Sequence, residues 1–94
     1  MRLKEYEIEA IKESFASTFA QGSIYLFGSR VDDSQKGGDI DLYIDTEVEN
    51  KVAKKIDFLV ALKNRIGEQK IDVVLSYNKN RAIEQEALKY GIEL

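Results

Sequence analysis

The stretch Leu26-Phe27-Gly28-Ser29-Arg30, followed past eight intervening residues by Asp39-Ile40-Asp41-Leu42, decides how this chain folds. Ile24 to Phe27 is an unbroken apolar run, as in a strand covered on both faces. Gly28-Ser29 leaves that run in a turn whose backbone N–H groups can hold a phosphate. Asp39 to Asp45 alternates. Ile40, Leu42 and Ile44 face one way, and Asp39, Asp41, Tyr43 and Asp45 face the other. The apolar set needs a core; the acidic set needs water, a cation or a basic partner. Two aspartates two apart in a strand share a face and can share a hard cation. A phosphate cradle beside a carboxylate pair is the minimum kit for metal-assisted chemistry on a nucleotide.

Outward from this centre, the elements follow from periodicity. Ile8, Ile11, Phe15 and Phe19 recur at helical spacing and predict a first helix from about Leu3 to Ala20, with Glu5, Glu9, Lys12 and Glu13 off the stripe and Gly22 as its stop. Arg30 to Gly38 reads as loop, with Gly37-Gly38 giving backbone freedom before the carboxylates. Thr46 and Glu49 have capping-box spacing and open a second helix. Its stripe is read as Val52, Ile56, Leu59, Val60 and Ile66, and Gly67 closes it. Lys70 to Tyr77 is a third strand. Asn80 caps a third helix whose face is Ile83, Ala87 and Tyr90, ended by Gly91. Ile92 to Leu94 adds at most a short edge strand.

The order is therefore α-β-β-α-β-α, an α+β (mixed α/β) fold on a small mixed sheet of three to four strands. The strand-helix-strand stretch from Asp39 to Leu75 is a right-handed crossover between parallel strands. The first two strands, joined by a shorter loop, are antiparallel. This topology carries Gly28-Ser29, Asp39, Asp41 and Asp72 to one edge. Asp72 taken alone reads as an exposed strand-edge aspartate rather than a ligand, and Asp39 with Asp41 as the wet face of an amphipathic strand. Their convergence is what singles them out.

Ninety-four residues make one domain, 1–94, able to bury one modest core but not a deep pocket. An enzyme this small needs a partner or a second copy to complete its site. The chain has no cysteine and no histidine, which removes disulfides, thiolate and His-zinc sites, and Ser-His-Asp or Cys-His chemistry. No apolar run approaches the roughly 20 residues of a membrane span. The first ten residues lack a signal-peptide apolar region, so a cytoplasmic protein is the expectation. The net charge of −3 argues against a general nucleic-acid binder. It is uneven: residues 1–50 hold 5 Lys/Arg and 11 Asp/Glu, and residues 51–94 hold 9 and 6. That asymmetry suits a charged partner, or simply a solvated helix face.

Gly28-Ser29, Asp39-x-Asp41 and the later strand residue Asp72 resemble the nucleotidyltransferase fold of the DNA polymerase beta superfamily. The small size, Leu26-Phe27-Gly28-Ser29-Arg30, Asp39-Ile40-Asp41-Leu42 and Glu86-x-x-x-Tyr90-Gly91-Ile92 resemble the minimal nucleotidyltransferases, the MNT antitoxins of HEPN/MNT toxin–antitoxin pairs. The resemblance implies that Ser29 and the backbone at Gly28, with Arg30 beside them, hold the phosphates of a nucleoside triphosphate, ATP foremost. It implies that Asp39, Asp41 and Asp72 bind Mg²⁺, two ions about 3.5–4 Å apart in a two-metal site. Asp72 completes one metal and helps activate an acceptor hydroxyl. The implied reaction is transfer of AMP to a hydroxyl, by resemblance a tyrosine of a HEPN toxin partner. A binding-only antitoxin is the alternative. A split transferase acting on a small molecule such as an aminoglycoside is a third reading, disfavoured because no acceptor domain accompanies the motifs. One stretch departs from the family pattern. The loop Val31 to Gly38 has Gly38 where the pattern has a serine, and it adds Asp32 and Asp33, which weaken triphosphate binding unless Lys36 offsets them. The tyrosines read as packing residues, although Tyr43 shares the aspartate face.

Overall fold

The computed structural model describes residues 2–31 and 38–94. Its elements are α1 (Glu5–Thr18), β1 (Ser23–Phe27), a 3₁₀ turn (Gly28–Val31), β2 (Ile40–Asp45), α2 (Lys51–Ile66), β3 (Ile71–Leu75), α3 (Ala82–Tyr90) and β4 (Ile92–Glu93). The strands form one mixed sheet in the order β3-β2-β1-β4. β1 is antiparallel to β2 and to β4, and β2 is parallel to β3. The α-β-β-α-β-α order and the strand directions are those the sequence predicts, and the short edge strand is present.

The strand run explains the layers. Ile24 and Leu26 of β1 and Ile40, Leu42 and Ile44 of β2 join Ile11, Phe19, Phe58 and Leu62 in the main core, on the face covered by α1 and α2. Phe27 and Tyr43 point the other way, against Ala87 of α3. Tyr43 is therefore not on a wet face. Its ring is fully buried beneath α3, and only the ends of that face, at Asp41 and Asp45, keep access to water.

Local capping differs from expectation in several places. Thr46 and Glu49 do not cap α2. Thr46 is buried, and its hydroxyl donates to the Gln21 carbonyl (2.8 Å) and accepts the Val48 N–H (3.3 Å). The helix starts five residues later, at Lys51, after Asn50 in a left-handed conformation. The α2 stripe is also turned. Phe58 and Leu62 are buried, whereas Val52, Ile56 and Val60 are 61%, 57% and 57% exposed. α3 follows Arg81 rather than Asn80. It buries Glu84 and Ala87 and leaves Ile83 and Tyr90 exposed. Gly22 is not the stop of α1, which ends at Thr18. It is required instead by close approach: a Cβ there would lie 2.2 Å from the Asp45 carbonyl oxygen.

Candidate functional site

The register assembles the site. Phe27 pairs with Asp41, and Asp41 pairs with Asp72. Asp41 has the strand parity of Tyr43, and Asp72 that of Val74, so both lie on the α3 face of the sheet. Gly28 follows Phe27 directly and has φ +77°. A Cβ on it would sit 2.4 Å from Asp41 Oδ2. Only glycine permits both this turn and this approach. Gly38, at φ +89°, stands against Ser29 in the same way, since its Cβ would lie 2.2 Å from Ser29 Oγ. The first residue after the strand and the last before the aspartates thus leave bare backbone around one hydroxyl and one carboxylate.

Arg30 braces this turn. Its Nη1 donates to the Arg2 carbonyl (3.0 Å), and its Nε and Nη2 reach the Gly38 carbonyl at 3.4 Å. Arg2 in turn donates its N–H to the Arg30 carbonyl (2.7 Å) and its Nη2 to the Ser29 carbonyl (3.3 Å). The guanidinium expected near phosphate is here held against main-chain carbonyls that shape the turn. The expectations placed on Asp32, Asp33, Lys36 and Gly37 lie outside the described residues.

The electrostatics are those of crowded acids. Burial, then the charges of Asp72, Asp39 and Glu86, push the Asp41 carboxyl above its ordinary value, and Lys70 opposes them. Lys70 Nζ lies 3.4 Å from Asp39 Oδ2 in a largely exposed pair, of the kind worth little on its own. Asp72 is exposed. The topology thus brings Asp39, Asp41 and Asp72 to one edge. Among the described residues, however, no three acidic side chains are close enough to form a ready metal cluster. Glu86 of α3, which the sequence reading gave no site role, is the third acid acting on Asp41.

Glu84 is a residue that sequence reasoning missed. It is fully buried and accepts four hydrogen bonds: from Tyr43 OH (2.7 Å), Tyr77 N–H (3.1 Å), Asn78 N–H (2.9 Å) and Arg81 Nε (2.8 Å). Burial alone would raise its carboxyl, but these donors outweigh burial and hold it down to about 2. Glu84 thereby locks α3 over β2 and sets where Glu86 stands relative to Asp41.

No helix among the described residues is long and apolar enough to cross a membrane. A groove of about 330 Å³ runs beside β3, and a smaller one of about 260 Å³ lies at Glu47, Lys51 and Lys79. Neither is lined by Ser29, Asp39, Asp41 or Asp72. No curated protein matches the chain. Residues 9–94, which span the glycine turn, all three aspartates and every strand, match the family described as Polymerase beta, Nucleotidyltransferase, and the chain belongs to that family of nucleotidyl-transferring domains.

Proposed function

We propose that this protein is a Mg²⁺-dependent nucleotidyltransferase that moves AMP from ATP to a protein hydroxyl, a tyrosine of a HEPN toxin partner, and so acts as an antitoxin. The observation that carries the chemical part is the register Phe27–Asp41–Asp72, which sets the Gly28-Ser29 turn beside two carboxylates. The choice of partner rests on the resemblance to MNT antitoxins.

The donor chemistry of this edge suits a hard divalent cation. The donors are carboxylate oxygens, and Asp41 is held above its ordinary value by burial and by neighbouring negative charge that a cation would relieve. Asp39 and Asp41 would hold it, with Asp72 completing the set. Once bound, the cation supplies charge neutralisation and Lewis acidity at the phosphates. The chain's own groups do the rest. Ser29 and the Gly28 backbone orient the terminal phosphates. Asp72 takes the proton of the acceptor hydroxyl. The hydroxyl oxygen attacks the α-phosphorus in line, the bond from that phosphorus to its bridging oxygen breaks, and pyrophosphate leaves.

The test is calorimetric titration with ATP, with and without Mg²⁺, on the wild type and the Asp39→Asn/Asp41→Asn variant, with transfer of α-labelled AMP to co-expressed partner as a second readout. The expected result is Mg²⁺-dependent binding and labelling, both lost in the variant. Labelling that survives in the variant overturns the reading. Asp41→Asn alone should raise thermal stability slightly, by under about 1 kcal/mol, while abolishing Mg²⁺-dependent binding. The sign follows because a carboxyl raised by folding makes its ionised form costly at neutral pH.

A second reading, a nucleotide-binding antitoxin that neutralises its partner by contact alone, is favoured by two observations. Asp39 lies against Lys70, and the described acids form no ready three-ligand cluster. Neutralisation retained in the double variant would support it.

A further inference from the structure

β3 is the edge strand of the sheet, and its outer side is open. Ile40 N–H donates to the Lys70 carbonyl (3.1 Å), and Ser76 N–H donates to the Ile44 carbonyl (3.0 Å). In a parallel ladder these two bonds assign the even-numbered residues of β3 to pairing with β2. The backbone groups of Ile71, Val73 and Leu75 therefore point away from the sheet. The Leu75 carbonyl accepts Arg81 Nη2 (3.0 Å). Among the described residues, nothing pairs with the N–H groups of Ile71, Val73 and Leu75 or with the carbonyls of Ile71 and Val73. An open edge of this kind is a template for another strand.

From Val73 to Leu75 the edge carries no charged side chain, and this part lies at the floor of the 330 Å³ groove. Val52 and Lys55 of α2 form one wall, and Tyr77, Arg81 and Ile83 form the other. The apolar lining is exposed: Val52 and Tyr77 are each 61% accessible. Both charged side chains in the walls are cations. Arg81 is committed to Glu84 and to the Leu75 carbonyl. Lys55 has no ion-pair partner among the described residues, which leaves it for an acidic group on whatever enters. At its far end the same strand carries Asp72, on the α3 face.

We propose that the acceptor is held here as an added strand: an extended, acidic-flanked segment of a protein partner, hydrogen-bonded to the open backbone of Ile71 and Val73. Alternate side chains of such a strand enter the groove. On the α3 face, a residue opposite Asp72 would have its Cβ about 4.5–5.5 Å away. Its hydroxyl then lies within reach of the carboxylate that takes its proton. This assigns the acceptor class as extended peptide rather than a helix surface or a small molecule, and it rests on the reading of the chain as a protein-modifying transferase.

The probe is a synthetic octapeptide, Glu-Glu-Val-Tyr-Val-Thr-Glu-Glu, together with the same peptide N-methylated at alternate residues. Amide hydrogen exchange of the whole protein is followed without nucleotide. The expected result is that the Ile71 and Val73 amides exchange about tenfold more slowly with the parent peptide, that N-methylation abolishes the effect, and that Lys55→Glu weakens it severalfold. Protection elsewhere only, no protection at millimolar peptide, or equal binding of the N-methylated form overturns the proposal. Lys55 is half-buried on α2 and is not one of the residues assigned to nucleotide or metal, so its variant tests the groove while leaving β3 unchanged. Mg²⁺-dependent ATP binding, measured in parallel, separates the two readings. Intact ATP binding with no edge protection sinks the added strand alone, and edge protection without ATP binding sinks the transfer reading and, with it, the assignment of the bound segment as acceptor.

Discussion

Replacing Glu84 by Gln keeps the size of the side chain and removes its charge. The carboxylate is fully buried and accepts four hydrogen bonds, one from the Arg81 guanidinium. Folding lowers it from an ordinary 4.5 to about 2, because those donors outweigh the burial that alone would raise it. At about 1.36 kcal/mol per unit, that difference is worth about 3 kcal/mol at neutral pH. The group is depressed, so its stabilisation is present above the unfolded value of 4.5 and is lost as pH falls toward 2. By about pH 3, roughly 2 kcal/mol of it is gone. Other carboxylates titrate in the same range, so the informative quantity is the difference between wild type and Glu84→Gln. Urea unfolding at about pH 7, 5, 4 and 3 should show the variant less stable at neutral pH. The gap should narrow by roughly 2 kcal/mol at the acid end. A gap that stays constant within about 0.5 kcal/mol would mean that folding does not lower the Glu84 carboxyl, and the account of how α3 is anchored would fail.

Tyr43→Phe removes the 2.7 Å donor to Glu84 while keeping the buried ring. It should cost about 1–2 kcal/mol and flatten part of the same acid transition, as read by urea unfolding at neutral and acid pH. Gly28→Ala and Gly67→Ala form a matched pair. The two glycines have φ of +77° and +82°, but a Cβ at Gly67 meets nothing within 4 Å, whereas one at Gly28 meets Asp41 Oδ2 at 2.4 Å. Thermal unfolding should show about 1–3 kcal/mol lost at Gly67 from backbone strain alone. A larger loss is expected at Gly28, where Mg²⁺-dependent ATP binding should fall as well. Equal losses at the two positions would remove the steric argument for the glycine turn.

The legible parts of this chain are those where one local rule had no competitor. β1 lies where its apolar run lies, Ser23 to Phe27, because a run that short with glycine punctuation suits a covered strand and little else. The parallel direction of β2 and β3, which brings Asp72 to the edge of Asp41, follows from the crossover rule, whereas the register that pairs them is read from the structure. α2 is different. Its apolar residues lie around much of the helix, so Val52-Ile56-Val60 and Phe58-Leu62 are both acceptable stripes on periodicity alone. The contact surface presented by α1 and the sheet buries the second and leaves the first in water.

The sequence by itself determined the order of elements, the strand directions and the arrival of a glycine turn and three aspartates at one edge, because these follow from spacing, chain connectivity and backbone sterics. The tertiary structure alone decided that Tyr43 is buried beneath α3, that an acid at position 84 becomes the anchor of that helix, and that the outer edge of β3 stays open between two walls. Those outcomes depend on which groups meet across long sequence separations, such as Tyr43 and Glu84 at 2.7 Å. The free energy of a buried charge or an unpaired backbone group is set by its neighbours in space rather than by its neighbours in the chain.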